Sequence, residues 1–135
     1  MRRSVVAVLA LGFFGASCGG PPGNLTVNEL PATVWLALGQ DVHITSPDLV
    51  IRWLEIVDDT RCPVDVSCPQ AGTVNMRFGA REAGSAESGF FLELGDSYSV
   101  FGVTIRVEDV TPERHSNLPV IPPKDYRVAL GFTAP

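Results

Sequence analysis

The residue types able to do chemistry in this chain gather in one stretch, Asp58-Asp59-Thr60-Arg61-Cys62-Pro63-Val64-Asp65-Val66-Ser67-Cys68-Pro69-Gln70-Ala71-Gly72. Its two thiols, Cys62 and Cys68, stand six positions apart with no histidine beside them. Structural zinc wants four ligands, so this spacing serves a disulfide better than a metal. Such a bridge closes a short loop and contributes roughly 2–2.5 kcal/mol, pinning a connection and not stapling a whole fold. Asp58, Asp59 and Asp65 offer the clustered hard oxygens that calcium takes, but their spacing matches no EF-hand loop. A solvated acidic turn is the simpler expectation. The planar fork of Arg61 can grip Asp58 or Asp59, or cap loop carbonyls, while Pro63 and Pro69 remove backbone donors and stiffen the chain. Two uses of the segment follow. It is either a tight strand-to-strand connection or a preorganised loop that presents Asp59, Arg61, Pro63 and Asp65 to a partner, as disulfide-stiffened inhibitors do.

Catalysis is poorly served elsewhere. His43 falls on the outward phase of a strand, His115 lies in a proline-rich stretch, and neither has a partner in sequence. There is no nucleophile elbow, zincin helix, phosphate-binding loop or dinucleotide fingerprint. No enzyme activity, cofactor or resident metal is therefore expected. A metal-binding protein or an enzyme assembled from scattered residues is the remaining alternative.

The third cysteine, Cys18, belongs to the N-terminus. Arg2 and Arg3 precede the apolar run Val5–Phe14, which has the length of an export-signal core and about half that of a membrane-spanning helix. Gly15-Ala16-Ser17-Cys18 resembles the bacterial lipobox, with Gly15 where that pattern usually has leucine. The resemblance implies cleavage after residue 17 and lipidation of Cys18, and several acyl chains on one residue anchor a protein stably. Gly19–Gly23 (GGPPG) then reads as a tether. With Cys18 lipidated, the odd cysteine is accounted for, and Cys62 and Cys68 are left to pair in a compartment where disulfides persist. The membrane contacted through the lipid would be a bacterial one, the outer membrane if the host has two, since no aspartate follows Cys18.

Charge narrows the partners further. The whole chain carries ten Lys and Arg against fifteen Asp and Glu; removing Arg2 and Arg3 with the signal leaves eight against fifteen, a formal charge of −7. Such a surface repels phosphate backbones, which argues against nucleic acid.

The elements that must position these residues read as strands. Apolar side chains alternate through Val34, Leu36 and Leu38, through Val42 and Ile44, through Val74, Met76 and Phe78, and through Phe90, Leu92 and Leu94. They do so again through Val103, Ile105 and Val107 and through Tyr126, Val128, Leu130 and Phe132. This is the period of a half-buried strand, and turn residues recur at the intervals of a sandwich or small barrel. Trp35 lies on the outward phase. In Leu49–Val57, Ile51 and Trp53 are in phase but Leu54 and Ile56 are not, which predicts a β-bulge near Leu54-Glu55. Without it Arg52 and Glu55 would need buried partners. Thr111–Lys124, with four prolines, suits a crossover between sheets in Greek-key style, and 81–88 a hairpin tip. The expected fold is all-β, an antiparallel β-sandwich or small Greek-key barrel of seven or eight strands with one local disulfide. Its expected organisation is a signal peptide (1–17), lipidated cysteine and tether (18–31) and a single β domain (32–135). The expected core includes Val74, Met76, Phe78, Ile105, Val107, Tyr126, Val128 and Leu130.

The cysteine segment also resembles the D-[ST]-R-C-P-x4-C-x-x-A-G stretch of a family of small, uncharacterised bacterial secreted proteins and lipoproteins. Gln70 stands where that family often has an aromatic residue before Ala-Gly. The resemblance implies an exported β domain and no particular activity. Taken together, the expectation is a membrane-anchored, non-catalytic binding or structural module of the cell envelope, acting on an envelope protein or ligand. Inhibition of a protease or other hydrolase through the Cys62–Cys68 loop is the alternative.

Overall fold

The computed structural model describes residues 23–135; the expected signal peptide, Cys18 and the first part of the tether lie outside them. Among the described residues nine strands form two sheets: β1 (Leu25–Val27), β2 (Ala32–Ala37), β3 (Asp41–Ile44), β4 (Leu49–Asp59), β5 (Val74–Glu82), β6 (Ser88–Glu93), β7 (Ser97–Val100), β8 (Val103–Thr111) and β9 (Arg127–Thr133). One sheet runs β1-β3-β4-β5-β6 and the other β2-β9-β8-β7. Both keep free edges, so the architecture is the sandwich and not the closed barrel. Every pairing is antiparallel except β1 with β3.

The alternating residues supply the contents between the sheets. Val74, Met76 and Phe78 from one sheet and Ile105, Val107, Val128 and Leu130 from the other are fully buried in a single cluster, and Tyr126 is nearly so. An aromatic row crosses it. Trp53 stacks on Phe78 at 6.4 Å between ring centroids, Phe78 on Phe90 at 5.8 Å, and Phe90 on Tyr98 of the opposite sheet at 4.5 Å. Trp35, as its phase requires, stays about half exposed on the outer face of β2.

The bulge in β4 is where the phase change placed it, with the register against β5 slipping between Trp53 and Glu55. Arg52 and Glu55 consequently point outward, where Arg52 donates two hydrogen bonds to Asp41 (2.6 and 2.8 Å) and Arg77 lies 3.1 Å from Glu55. Two more slips, between Ile56 and Asp58 in β4 and between Val107 and Asp109 in β8, let these long strands bend around the core.

Four expectations need correction. The ordered sheet begins before residue 32: β1 lies within the segment read as tether, because Val27 is buried against the core and its strand adds an edge beside β3. With β1 included, the described residues form nine strands where seven or eight were expected. The proline-rich stretch does not cross between sheets. It joins β8 to β9, which are adjacent and antiparallel in one sheet, so it is a long excursion at one end of the sandwich. The chain changes sheets instead at the shorter links β1–β2, β2–β3 and β6–β7. Leu94, assigned inward by alternation, is partly exposed because β6 ends at Glu93 and a turn follows.

Candidate functional site

Two long connections meet at one end of the sandwich, and the conspicuous cysteine segment is one of them. β4 delivers Asp59 opposite Val74 of β5. Beyond this pair the loop is laced shut: Thr60 N donates to Thr73 O (2.7 Å), Thr73 N to the Thr60 hydroxyl (3.1 Å) and Cys62 N to Ala71 O (2.8 Å). Cys62 and Cys68 are bonded, their Cα atoms 5.9 Å apart, inside the span that a disulfide bridges.

Gly72 makes the closure possible. Its φ is +66°, and a Cβ there would overlap the Thr60 carbonyl oxygen. Gly72→Ala should therefore cost about 2–4 kcal/mol, combining left-handed strain with overpacking. Gly84→Ala, at φ +76° with open space around it, should cost only the strain, about 1–2 kcal/mol. Urea denaturation of both variants checks this; equal losses would show that the close approach at Gly72 is immaterial.

Arg61 turns inward. Its Nε and Nη2 donate to the two carboxylate oxygens of Asp59 (2.9 and 2.7 Å), and its remaining donors reach Val110 O (2.8 Å) and Pro112 O (3.1 Å). Tyr126, at the start of the returning strand, donates its hydroxyl to Asp59 Oδ2 (2.8 Å). The Asp59 and Arg61 side chains keep only 8% and 13% of their surface exposed, so the pair is largely shielded from solvent. Burial by itself raises the Asp59 carboxyl, but the hydrogen bonds from Arg61 and Tyr126 outweigh it and hold the pKa below the ordinary carboxylate value. Burial and then the carboxylate neighbour push the Tyr126 phenol up to about 12. Arg61 is held still more firmly in its charged form, first by its hydrogen bond to Asp59.

The second connection, 112–126, is held onto the first. Arg114 Nη1 donates to Arg61 O (2.8 Å) and Val64 N to Arg114 O (2.9 Å). Asp65 accepts from the Ser116 amide (2.9 Å) and from the Ser116 hydroxyl, contacts that lower its pKa. Two arginines thus use their guanidinium groups to fasten backbone, one from each connection.

Of the four residues read as a presented surface, Asp59 and Arg61 are spent inside the fold, Pro63 is half-buried, and Asp65 is exposed but engaged by Ser116. The large apolar side chains that the disulfide loop presents are Val64 and Val66. The aspartates do not gather, and among the described residues no three His, Cys, Asp or Glu side chains come together as a metal would need. His43 pairs with Asp48 at 2.5 Å on the surface, well away in sequence from His115.

The outer side of the second connection carries a groove of about 480 Å³, lined by Pro112, Glu113, His115, Leu118, Val120, Ile121, Pro122 and Asp125. Leu118 and Val120 are 60% and 79% exposed. Sequence reasoning missed this groove; its signal was the run Leu118-Pro119-Val120-Ile121, apolar residues in a stretch whose prolines forbid a strand. Comparison with protein families, curated proteins and solved structures finds no match to this chain.

Proposed function

We propose that this is a lipid-anchored extracytoplasmic binding module, tethered through Cys18 and engaging a partner with the end of the sandwich built from 60–73 and 112–126. The observation that carries the binding role is the contrast between the two sides of 112–126. Its inner side is fastened by Arg61, Arg114 and Asp65, while its outer side leaves Leu118 and Val120 exposed beside a groove. Scattered surface apolar residues are ordinary, but apolar residues grouped on a concave, prefastened loop mark a recognition surface. Preorganisation saves the entropy of ordering the loop on binding. The tether rests on the lipobox-like sequence, and the Cys62–Cys68 bridge agrees with an oxidising compartment.

Two experiments separate address from function. Cys18→Ser should convert a detergent-phase mature protein into an unprocessed precursor or a soluble form; unchanged detergent partitioning would rule out lipidation at that residue. A photo-crosslinking side chain placed at Val120 of the anchored chain should give a discrete adduct, while one at Phe91 of β6, also well exposed, should not. Equal labelling from both positions, or none from Val120, would dismiss this end of the molecule as the binding surface.

A further inference from the structure

Resting on that reading, we infer that the groove of 112–126 takes a polypeptide segment in which apolar side chains are flanked by lysine or arginine. Five of its eight lining residues are apolar, namely Pro112, Leu118, Val120, Ile121 and Pro122. The formal charges on the lining are both negative, from Glu113 and Asp125, and no lysine or arginine lines it. Neither carboxylate has a hydrogen-bond or ion-pair partner among the described residues, so both are free to meet a cation. The cations of this end, Arg114, Lys124 and Arg127, stay outside the lining: the guanidinium of Arg114 is turned to Arg61 O and Pro119 O and that of Arg127 to Lys124 O and Tyr126 O, while Arg61 is paired with Asp59.

An apolar floor with an anionic rim selects a ligand that is apolar and cationic together. It rejects anionic lipids and acidic peptides, which would bring like charge to Glu113 and Asp125. The way the segment is read also follows from the lining. Pro112 and Pro122 have no N–H to offer, so the groove is unsuited to adding a strand through main-chain hydrogen bonds. Recognition falls to side chains: one or two aliphatic residues against Leu118 and Val120, with lysine or arginine reaching the carboxylates. A groove of about 480 Å³ accommodates side chains of that number and size.

The test is fluorescence anisotropy on the processed chain in nonionic detergent, with the micelle blank subtracted. Three labelled pentapeptides serve as probes, alternating lysine with leucine, lysine with serine, and glutamate with leucine. The lysine–leucine peptide should bind at least tenfold tighter than either of the others. Leu118→Ser with Val120→Ser should weaken it at least tenfold, and Glu113→Gln with Asp125→Asn at least fivefold. Glu82→Gln with Glu93→Gln removes the same charge on exposed residues of β5 and β6 and should change the affinity less than twofold. Tight binding of the lysine–serine or glutamate–leucine peptide would overturn the ligand assignment. So would an equal effect of the Glu82 and Glu93 changes, which would mark the attraction as one of net charge alone. If the lysine–leucine peptide fails while Val120 still crosslinks to a partner, the binding surface stands and only the ligand class falls.

Discussion

Arg61→Ala should destabilise the protein by about 3–5 kcal/mol, the cost of removing one member of an ion pair largely shielded from solvent together with its two bonds to backbone carbonyls. The variant leaves the Asp59 carboxylate out of solvent with the Tyr126 hydroxyl as its remaining side-chain donor, and strips Val110 O and Pro112 O of their contacts. Asp59→Asn keeps the shape but removes the charge, and should cost less than Arg61→Ala. Tyr126→Phe deletes one charge-assisted hydrogen bond and should cost roughly 1.5–3 kcal/mol. The same network gives stability a pH dependence. The Asp59 pKa is lower in the folded chain than its ordinary 3.8, so the unfolded state takes up the proton first as pH falls. Its stabilisation is complete above the unfolded value and is lost as pH falls through the folded one. The Tyr126 phenol is raised, so its contribution is complete below pH 10 and disappears between 10 and about 12. Denaturation midpoints of wild type and Asp59→Asn between pH 2 and 7 check the acid limb. The wild type should lose more stability on acidification than the variant; parallel curves would mean that Asp59 does not carry the dependence.

Phe78→Ala should be as damaging, at about 3–5 kcal/mol, through cavity formation in the aromatic row. Phe78 is wholly buried and is stacked on both sides, by Trp53 and by Phe90. Each lost stack adds about 0.5–1.5 kcal/mol to the truncation, so the value should fall in the upper part of that range or beyond it. Phe78→Leu restores much of the volume and should recover a good part of the loss. Phe91→Ala is the control: Phe91 follows Phe90 in sequence but points the other way, 61% exposed on the outer face of β6, and its loss should change stability by no more than ~0.5 kcal/mol. A loss below about 1 kcal/mol for Phe78→Ala in urea denaturation would contradict the packing described here.

What the sequence made legible, and what it hid, divides by the range of the interaction. Period-two alternation placed Val74, Met76, Phe78, Ile105, Val107, Val128 and Leu130 correctly because a strand's faces are a local property. The bulge at Leu54 showed itself for the same reason, as a change of phase within nine residues. The bulge in β8 left a similar trace, since Val110 follows Val107 at an odd spacing, but the outward pair Glu108-Asp109 reads equally well as a strand end. Arg61 with Asp59, two residues apart, could be anticipated from side-chain reach. Tyr126 on Asp59 and Arg114 on Arg61 O could not, because they span 67 and 53 residues and only the sheet order brings them together. The proline-rich stretch was misplaced on similar grounds. A long link within one sheet and a crossover between sheets have the same composition, and what distinguishes them is the pairing of β8 with β9.

Hydrogen exchange at individual amides tests most directly whether the two connections form one prefastened unit. The amides of Val64 and Ser116 are donated across the junction, to Arg114 O and Asp65 respectively, and both should exchange slowly in the native protein. Arg114→Ala should release the two together, to within a factor of about three of each other, while the β9 amide of Leu130 keeps its protection. Fast exchange of either amide in the wild type, or loss of one without the other in the variant, would show that the loops move independently and that no preorganised surface exists at this end of the sandwich.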